Sequence, residues 1–553
     1  MRTQEISILI GGKAGDGIRQ AGIGLAGLLN ELGYWIFLYD DYPSVIRGGH
    51  NFSVIRASAE RIMSQRDDFD ILIALDQNTL AKHNGQLAEQ GLVIFDADAV
   101  KAEGLGLPLT SLTKKNNLPL IVRNTEVLAA LGAILRVDFA VIEQAIKKSL
   151  NKKVEENIAV AREAYELALA TGKKIDLPPL SNPPKELLTG NEALALGLVK
   201  GGLEIFTAYP MTPTTTILHY LADNRKKFNL QVVHAENEIG VIGMAEGAAY
   251  AGKRSAVCTS GGGFALMVEH LSLAGQAEIP LVIVLGQRPG PATGLPTYSG
   301  QGELFFALYA GHGEFPRVVI APGDPEEAMA AARDALNLAW QFQIPVIVLA
   351  DKHLCESAFS SEPEKIAAKI FPPKLWDKQG TYRRYALTED GVSPLCFPGE
   401  PSAVVKSDSY EHDEDGITTE EAEITVKNAD KRMRKAAAIA EELKKRETVK
   451  TYGPSESENV LLVWGSTKGS AIEAAALTGC RVVQPLYLEP FPEAELKEKL
   501  KNAKKIIGVE LNSGGQLCRL AASHGIKIDE RILKYDGRPF TADAIAEKVR
   551  KLI

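Results

Sequence analysis

Short apolar runs at 204–208, 231–234, 255–259, 281–285, 317–320 and 345–350 are each followed by a helix-length or loop segment. This alternation constrains the chain more than any other feature. Parallel strands need long crossovers, and runs that are apolar throughout fit a sheet covered on both faces. Residues 187–371 therefore predict an open parallel sheet flanked by helices. A similar alternation opens the chain, with strands expected at 6–10, 35–39, 71–75 and 92–96 and a helix over 20–32. Another closes it, with strands at 460–464, 481–485 and 505–510. The fold class is α/β and multidomain, which suits a length of 553 residues. Domains are expected at 1–180, 187–371 and 455–553. A proline-rich stretch at 171–184 separates the first two. Residues 372–454 form a connector, acidic over 407–423, with a charged, solvent-exposed helix expected over 427–445.

Composition removes several function classes. Hydrophobic residues make up 45% and charged residues 24%, as in ordinary globular proteins. A net charge of −8 argues against a broadly basic nucleic-acid surface. The start lacks the apolar stretch and cleavage pattern of a signal peptide, and the apolar runs are too short to span a bilayer. The expectation is a cytoplasmic protein with neither membrane nor nucleic-acid partner. The cysteines at 258, 355, 396, 480 and 518 form no CxxC pair, so no zinc or iron–sulfur motif is expected on this chain. If the protein does redox chemistry, its metal cluster sits on another chain.

The chemistry gathers where ligands bind open parallel sheets, beyond the carboxyl ends of the strands. After 204–208 comes Tyr209-Pro210-Met211-Thr212-Pro213, whose prolines restrict Thr212. After 231–234, Glu236 and Glu238 open a helix. After 255–259, Ser260-Gly261-Gly262-Gly263 reads as a loop that lets a ligand approach the backbone. After 281–285 come Gln287-Arg288 and a proline–glycine segment through Thr293 and Gly294. Each feature has a plain structural reading: a turn hydroxyl, a helix-start acid, a loose loop, a surface charge. Their succession on the edge of one sheet argues for a site. Gly240, Gly243 and Gly247 share a helix face, which suggests close packing by another backbone, from a partner subunit or from within the domain.

The N-terminal segment 10–18, IGGKAGDGI, reads as a glycine loop that can hold a phosphate, with Asp40 near the place of a ribose-binding acid. Gln20 stands where a dinucleotide fingerprint needs a third glycine, so a generic turn is the better reading. Gly15-Asp16-Gly17 also resembles the start of a Mg²⁺–thiamine diphosphate motif, but Asp40, Asp41 and Tyr42 stand where its asparagine would be. Arg47, beside Gly48 and Gly49, can grip an anion or belong to a solvated turn. His50 and His312 are read as structural, and the acidic run 411–415 as a solvated loop.

Taken together, YPMTPTT at 209–215, AENEIGVIGMAEGAAYAG at 235–252, TSGGG at 259–263, QRPGPATGLPT at 287–297 and GHGEFPR at 311–317 resemble the α subunit of 2-oxoacid:ferredoxin oxidoreductases. GGKAGDGI and YPSVIRGGHN resemble that family's γ domain, here fused ahead of α. YEHDEDG at 410–416 and ELNSGGQL at 510–517 also fit. The resemblance covers nearly the whole chain and is nearest to 2-oxoglutarate enzymes. It implies a γ-type domain, a pyrimidine-binding thiamine diphosphate domain and a transketolase-C-terminal-like domain. It also implies oxidative decarboxylation of a 2-oxoacid with CoA, reducing ferredoxin. Mg²⁺ and a [4Fe–4S] cluster would belong to a β subunit, in an assembly of two α and two β chains. Carried over, Glu238 meets the aminopyrimidine N1′, with Glu236 as the alternative. Thr212 and Arg288 hold the substrate, and Tyr209, Pro210, Ser260, Gly261 and Gly262 line the cofactor. Thr293, Gly294, Arg47, Gly15 and Gly17 are weaker candidates for substrate or CoA contacts. The competing readings are an NAD-linked oxidoreductase and a non-catalytic CoA- or dinucleotide-binding assembly subunit.

Overall fold

The apolar alternation builds three sheets in a computed structural model that describes residues 4–44, 48–150 and 152–553. The chain divides into two compact units: residues 1–188 with 356–362 and 541–547, and the remainder.

In the first unit an eight-stranded sheet runs in the order Leu105–Leu107, Leu87–Asp96, Phe69–Ala74, Glu5–Ala14, Gly48–Ser58, Trp35–Asp41, Ala358–Ser361, Glu186–Thr189. Glu5–Ala14 pairs parallel with Phe69–Ala74 but antiparallel with Gly48–Ser58, so the sheet is mixed. Ile6, Ile8 and Ile10 are fully buried with Leu25, Leu28 and Leu29 of helix Ile18–Glu31. The expected glycine loop over 10–18 is shorter than its sequence suggests. Gly11 and Gly12 lie in the strand, and the turn is confined to 15–17. Likewise Gly48-Gly49-His50-Asn51 is the start of a strand rather than a turn. The sequence signalled neither that strand nor Ala358–Ser361, which joins the sheet from more than 300 residues away.

The second unit carries a seven-stranded sheet in the order Tyr487–Glu489, Val318–Ile320, Pro345–Asp351, Leu281–Gln287, Ser255–Ser260, Ile205–Ala208, Gln231–His234. Its strands are parallel except at the Tyr487–Glu489 edge. Every residue of Leu281–Gln287 and Pro345–Asp351 is buried, as the unbroken apolar runs require. The same unit holds a five-stranded sheet: Val449–Tyr452, Arg481–Pro485, Asn459–Val463, Lys505–Glu510, Glu530–Leu533.

The connector helix is Ala422–Leu443, and the expectation that it is solvent-exposed fails on one face. Lys431 and Lys435, four residues apart, are buried and donate to the two oxygens of Glu278 at 2.7 and 2.8 Å. The two ammonium charges, with Arg384, overcome burial and hold the Glu278 carboxyl well below the usual carboxylate range. Burial dominates at Lys435 and brings its ammonium down to about 8. Among the described residues no helix is long and apolar enough to cross a membrane.

Candidate active site

The site is assembled at the carboxyl ends of strands Ile205–Ala208, Gln231–His234, Ser255–Ser260 and Leu281–Gln287. Asn237 caps helix Glu238–Tyr250, its side chain accepting the Gly240 N–H at 2.9 Å. That cap fixes Glu238 as the first helical residue. Glu238 is 3% exposed, and its Oε1 is buried with no hydrogen-bond partner among the described residues. Glu236, two residues earlier, is exposed.

The 260–263 loop expected from sequence is not a loop. The strand runs through Ser260, and helix Gly261–Gln276 starts at Gly261. Three glycines occupy a helical first turn because neighbours crowd two of them. A Cβ on Gly261 would collide with the Glu303 carboxyl, and one on Gly263 would collide with Thr259 and lie 2.5 Å from Glu238 Oε1. Gly262 faces open space. Ser260 is buried, and its Oγ also has no partner among the described residues.

Thr212 and Arg288 meet as well, though through the main chain. Arg288 Nη1 donates to the Thr212 carbonyl at 2.8 Å. Gly286 makes this possible: a Cβ there would lie 2.5 Å from Thr214 Cγ2 and 2.9 Å from Pro213 Cγ. Burial lowers the Arg288 pKa, and the neighbouring Glu303 carboxyl opposes that shift. Next to them Thr259 Oγ1 lies 3.9 Å from Met211 Sδ.

The remaining candidates are placed as follows. Tyr209 is 37% exposed, its ring tilted against His234 with centroids 6.0 Å apart, and Pro210 is half-buried. Thr293 and Gly294 are exposed in a tight loop, where Gly294 has φ +54° and Leu295 N–H donates to the Pro289 carbonyl at 2.9 Å. Gly15 and Gly17 belong to the other unit, and Arg47 lies outside the described residues. There, Asp16 takes the Lys13 N–H and pairs with Arg123 at 2.8 Å, while Asp40 accepts from Ser53 and pairs with Arg19. Asp40, the proposed ribose acid, is thus already engaged. His50 and His83 face each other at 2.8 Å between Nε2 atoms; burial pushes His50 down to about 4.

Glu303 was not singled out by its sequence context. Its Oε2 is buried without a partner among the described residues. Burial raises the carboxyl to about 8, against the pull of the Arg288 charge and backbone N–H. Nothing in the segment QGEL marks it; only the approach of Gly261 and Arg288 does. The site thus holds three buried oxygens that lack partners: Glu238 Oε1, Ser260 Oγ and Glu303 Oε2. Buried polar atoms are rarely left so, and their grouping marks a place for a polar ligand. The amino group of an aminopyrimidine would suit a carboxylate oxygen here, and its ring nitrogens would accept from the Ser260 hydroxyl or from a protonated carboxyl.

Known proteins resemble this chain over most of its length. Residues 197–431 match the family described as pyruvate flavodoxin/ferredoxin oxidoreductase, thiamine diphosphate-binding, and residues 7–167 match pyruvate ferredoxin/flavodoxin oxidoreductase. The 2-oxoglutarate oxidoreductase subunit KorA of Mycobacterium tuberculosis is 29% identical, covering 99% of this chain and 92% of its own. A solved 2-oxoglutarate:ferredoxin oxidoreductase from Magnetococcus marinus, with 2-oxoglutarate, coenzyme A and succinyl-CoA bound, superposes with a TM-score of 0.90 at 31% identity over 100% of both chains. The α subunit of 2-oxoacid:ferredoxin oxidoreductase 2 from Aeropyrum pernix is 32% identical over 99% of this chain and 98% of its own. The chain belongs to the α-subunit family of the 2-oxoacid:ferredoxin oxidoreductases.

Proposed function

We propose that this chain supplies the aminopyrimidine side of a thiamine diphosphate site in an enzyme that converts a 2-oxoacid and CoA to acyl-CoA and CO₂ while reducing ferredoxin. The observation that carries this reading is the orphaned, buried Oε1 of Glu238 at a helix start, facing a glycine. Its donor set fits the cofactor. Thiamine diphosphate, when bound, supplies the electron sink that a 2-oxoacid needs in order to lose CO₂. Glu238 shares a proton with N1′ of the pyrimidine, Ser260 Oγ and the Gly261–Gly262 turn line the ring, and Tyr209 and Pro210 close one side. Arg288, anchored on the Thr212 carbonyl, offers its remaining N–H groups to the substrate carboxylate, for which a guanidinium is well shaped. Thr212 contributes its hydroxyl to the same anion or to the adjacent carbonyl.

The rest of the site belongs to a β subunit carrying Mg²⁺ and a [4Fe–4S] cluster in this reading, with two copies of each chain in the assembly. An unpartnered apolar face supports a docked chain beside the site. Ile239 and Met244 on one helix and Leu266 on the next are about half exposed, and Gly247 and Gly262 have nothing within 4 Å of a built Cβ. A helix apolar on all sides calls for burial on all sides. 2-Oxoglutarate is the favoured substrate, in keeping with the Magnetococcus marinus and Mycobacterium tuberculosis relatives. Gly15, Gly17 and Arg47 of the N-terminal region, with Thr293 and Gly294, remain our candidates for contacts to CoA or the substrate tail. The test is to purify the chain with its β partner and assay ferredoxin reduction with CoA across a panel of 2-oxoacids. 2-Oxoglutarate should give the highest kcat/KM. No turnover with any 2-oxoacid would overturn the reading.

A further inference from the structure

We propose that Gln516 is a positioning residue for the cofactor site: reaching over from the five-stranded sheet, its amide caps the helix that follows Glu303 and so leaves the Glu303 carboxyl free to lie in the corner beside Gly261. This rests on the reading of that corner as the place of the aminopyrimidine.

Glu303 occupies the cap position of helix Leu304–Tyr309. The first N–H groups of a helix have no partner within it, and the cap residue's own side chain commonly accepts one of them. Glu303 makes no such bond. Its carboxyl lies where a Cβ on Gly261 would be, and its Oε2 is buried without a partner among the described residues. The capping is done from elsewhere. Phe305 N–H donates to Gln516 Oε1 at 3.3 Å, and Gln516 Nε2 donates to the Gly302 carbonyl at 2.8 Å. One amide therefore grips the main chain on both sides of Glu303. The Glu303 N–H, donating to Gln287 Oε1 at 3.1 Å, fixes the residue between them.

The amide is itself held by the segment ELNSGGQL, 510–517, which supplies none of the site residues described above. Glu510 is fully buried at the end of strand Lys505–Glu510, and its carboxyl takes the N–H groups of Leu517 and Cys518 at 2.8 and 3.0 Å. It also takes Asn512 Nδ2 at 2.9 Å. Asn512 Oδ1 takes the Gly515 N–H at 2.7 Å, closing a turn in which Gly515 has φ +58°. These bonds set the start of helix Gln516–Ser523 and with it the Gln516 side chain. The same turn is joined to the segment it grips. Asn512 Nδ2 donates to the Gln301 carbonyl at 3.0 Å, Gln301 N–H donates to the Leu511 carbonyl at 2.8 Å, and Leu511 N–H donates to Gln301 Oε1 at 3.0 Å. Residues 301–305 are thus laid along the carboxyl end of strand Lys505–Glu510, with Glu303 turned the other way, against Gly261.

The experiment titrates thiamine diphosphate with Mg²⁺ into the cofactor-depleted complex of this chain with its β partner, followed by protein fluorescence. Gln516→Met keeps the length of the side chain and removes both hydrogen bonds. Its Kd should rise about tenfold, the loss expected when one hydrogen-bonding group leaves its place. The Tm of the cofactor-free complex should stay at the wild-type value, because Gln516 is only half-buried. Gln516→Glu keeps an acceptor for the Phe305 N–H and should recover part of the loss; a Kd as high as that of Gln516→Met overturns the capping role. In a Glu303→Ala background Gln516→Met should add less than about twofold, since it acts through Glu303. An unchanged Kd in Gln516→Met overturns the proposal, and so does a rise that persists without the Glu303 carboxyl. A wild-type complex that binds no thiamine diphosphate overturns the reading of the corner first. One that binds it no more tightly than Gln516→Met does overturns only the role of Gln516.

Discussion

Two strand-to-helix corners of this chain look alike in sequence and differ in chemistry. Residues 10–18 and 259–263 each bring glycines to the start of a helix, with an acid at hand: Asp16 within the first segment and Glu238 against Gly263 of the second. In the first corner the acid is satisfied. Asp16 pairs with Arg123, which also reaches Asp96 at 3.1 Å, and Asn124 bonds the carbonyls of Asp16 and Gly17. In the second, Glu238, Ser260 and Glu303 each leave a buried oxygen without a partner among the described residues. A paired acid stabilises a fold, whereas unpaired buried acceptors cost free energy until a ligand meets them. The glycine pattern alone does not tell the two apart; whether the acid is paired does.

The largest expected effect comes from the open corner. Glu238→Gln in the assembled enzyme should lower 2-oxoacid-dependent ferredoxin reduction by about 100- to 10,000-fold, the range of a lost acid–base group, with no fall in Tm. Near-normal turnover would erase the contrast between the corners. At the closed corner the effect should be on stability. Arg123→Met leaves Asp16 and Asp96 buried without their cation, which should cost about 3–5 kcal/mol in urea unfolding. A loss below experimental error would mean that the Asp16 network is not what holds that corner.

Smaller effects sharpen the comparison. Arg288→Gln should raise KM for the 2-oxoacid by about 10- to 100-fold, corresponding to a charge-assisted hydrogen bond of about 1.5–3 kcal/mol. An effect confined to kcat would move Arg288 from binding to the chemical step. Gly263→Ala forces a methyl group against Thr259 and Glu238 and should cost about 1–3 kcal/mol as well as activity, as measured by Tm and turnover together. Gly15→Ala meets nothing within 4 Å, so only the backbone strain of φ +100° is left, about 1–2 kcal/mol. Equal losses of turnover in the two glycine variants would show that crowding is not what reserves position 263 for glycine.

Local pattern carried a good deal of this molecule. Strands 231–234, 481–485 and 505–510 have the bounds that their apolar runs suggest, and the residues at four successive strand ends do converge. The sequence determined these because strand and helix periods, and the rule that ligands sit at carboxyl ends of parallel strands, act over a few residues at a time. Only the tertiary structure decided the rest. It made 261–263 a helical turn, joined Ala358–Ser361 to a sheet begun at residue 5, placed two lysines of a charged helix on a glutamate 153 and 157 residues away, and brought Glu303 against Gly261. The reason is common to all four. Whether a charge or a glycine is buried, paired or crowded depends on which distant segment packs against it, and composition and periodicity within a short window carry no record of that neighbour.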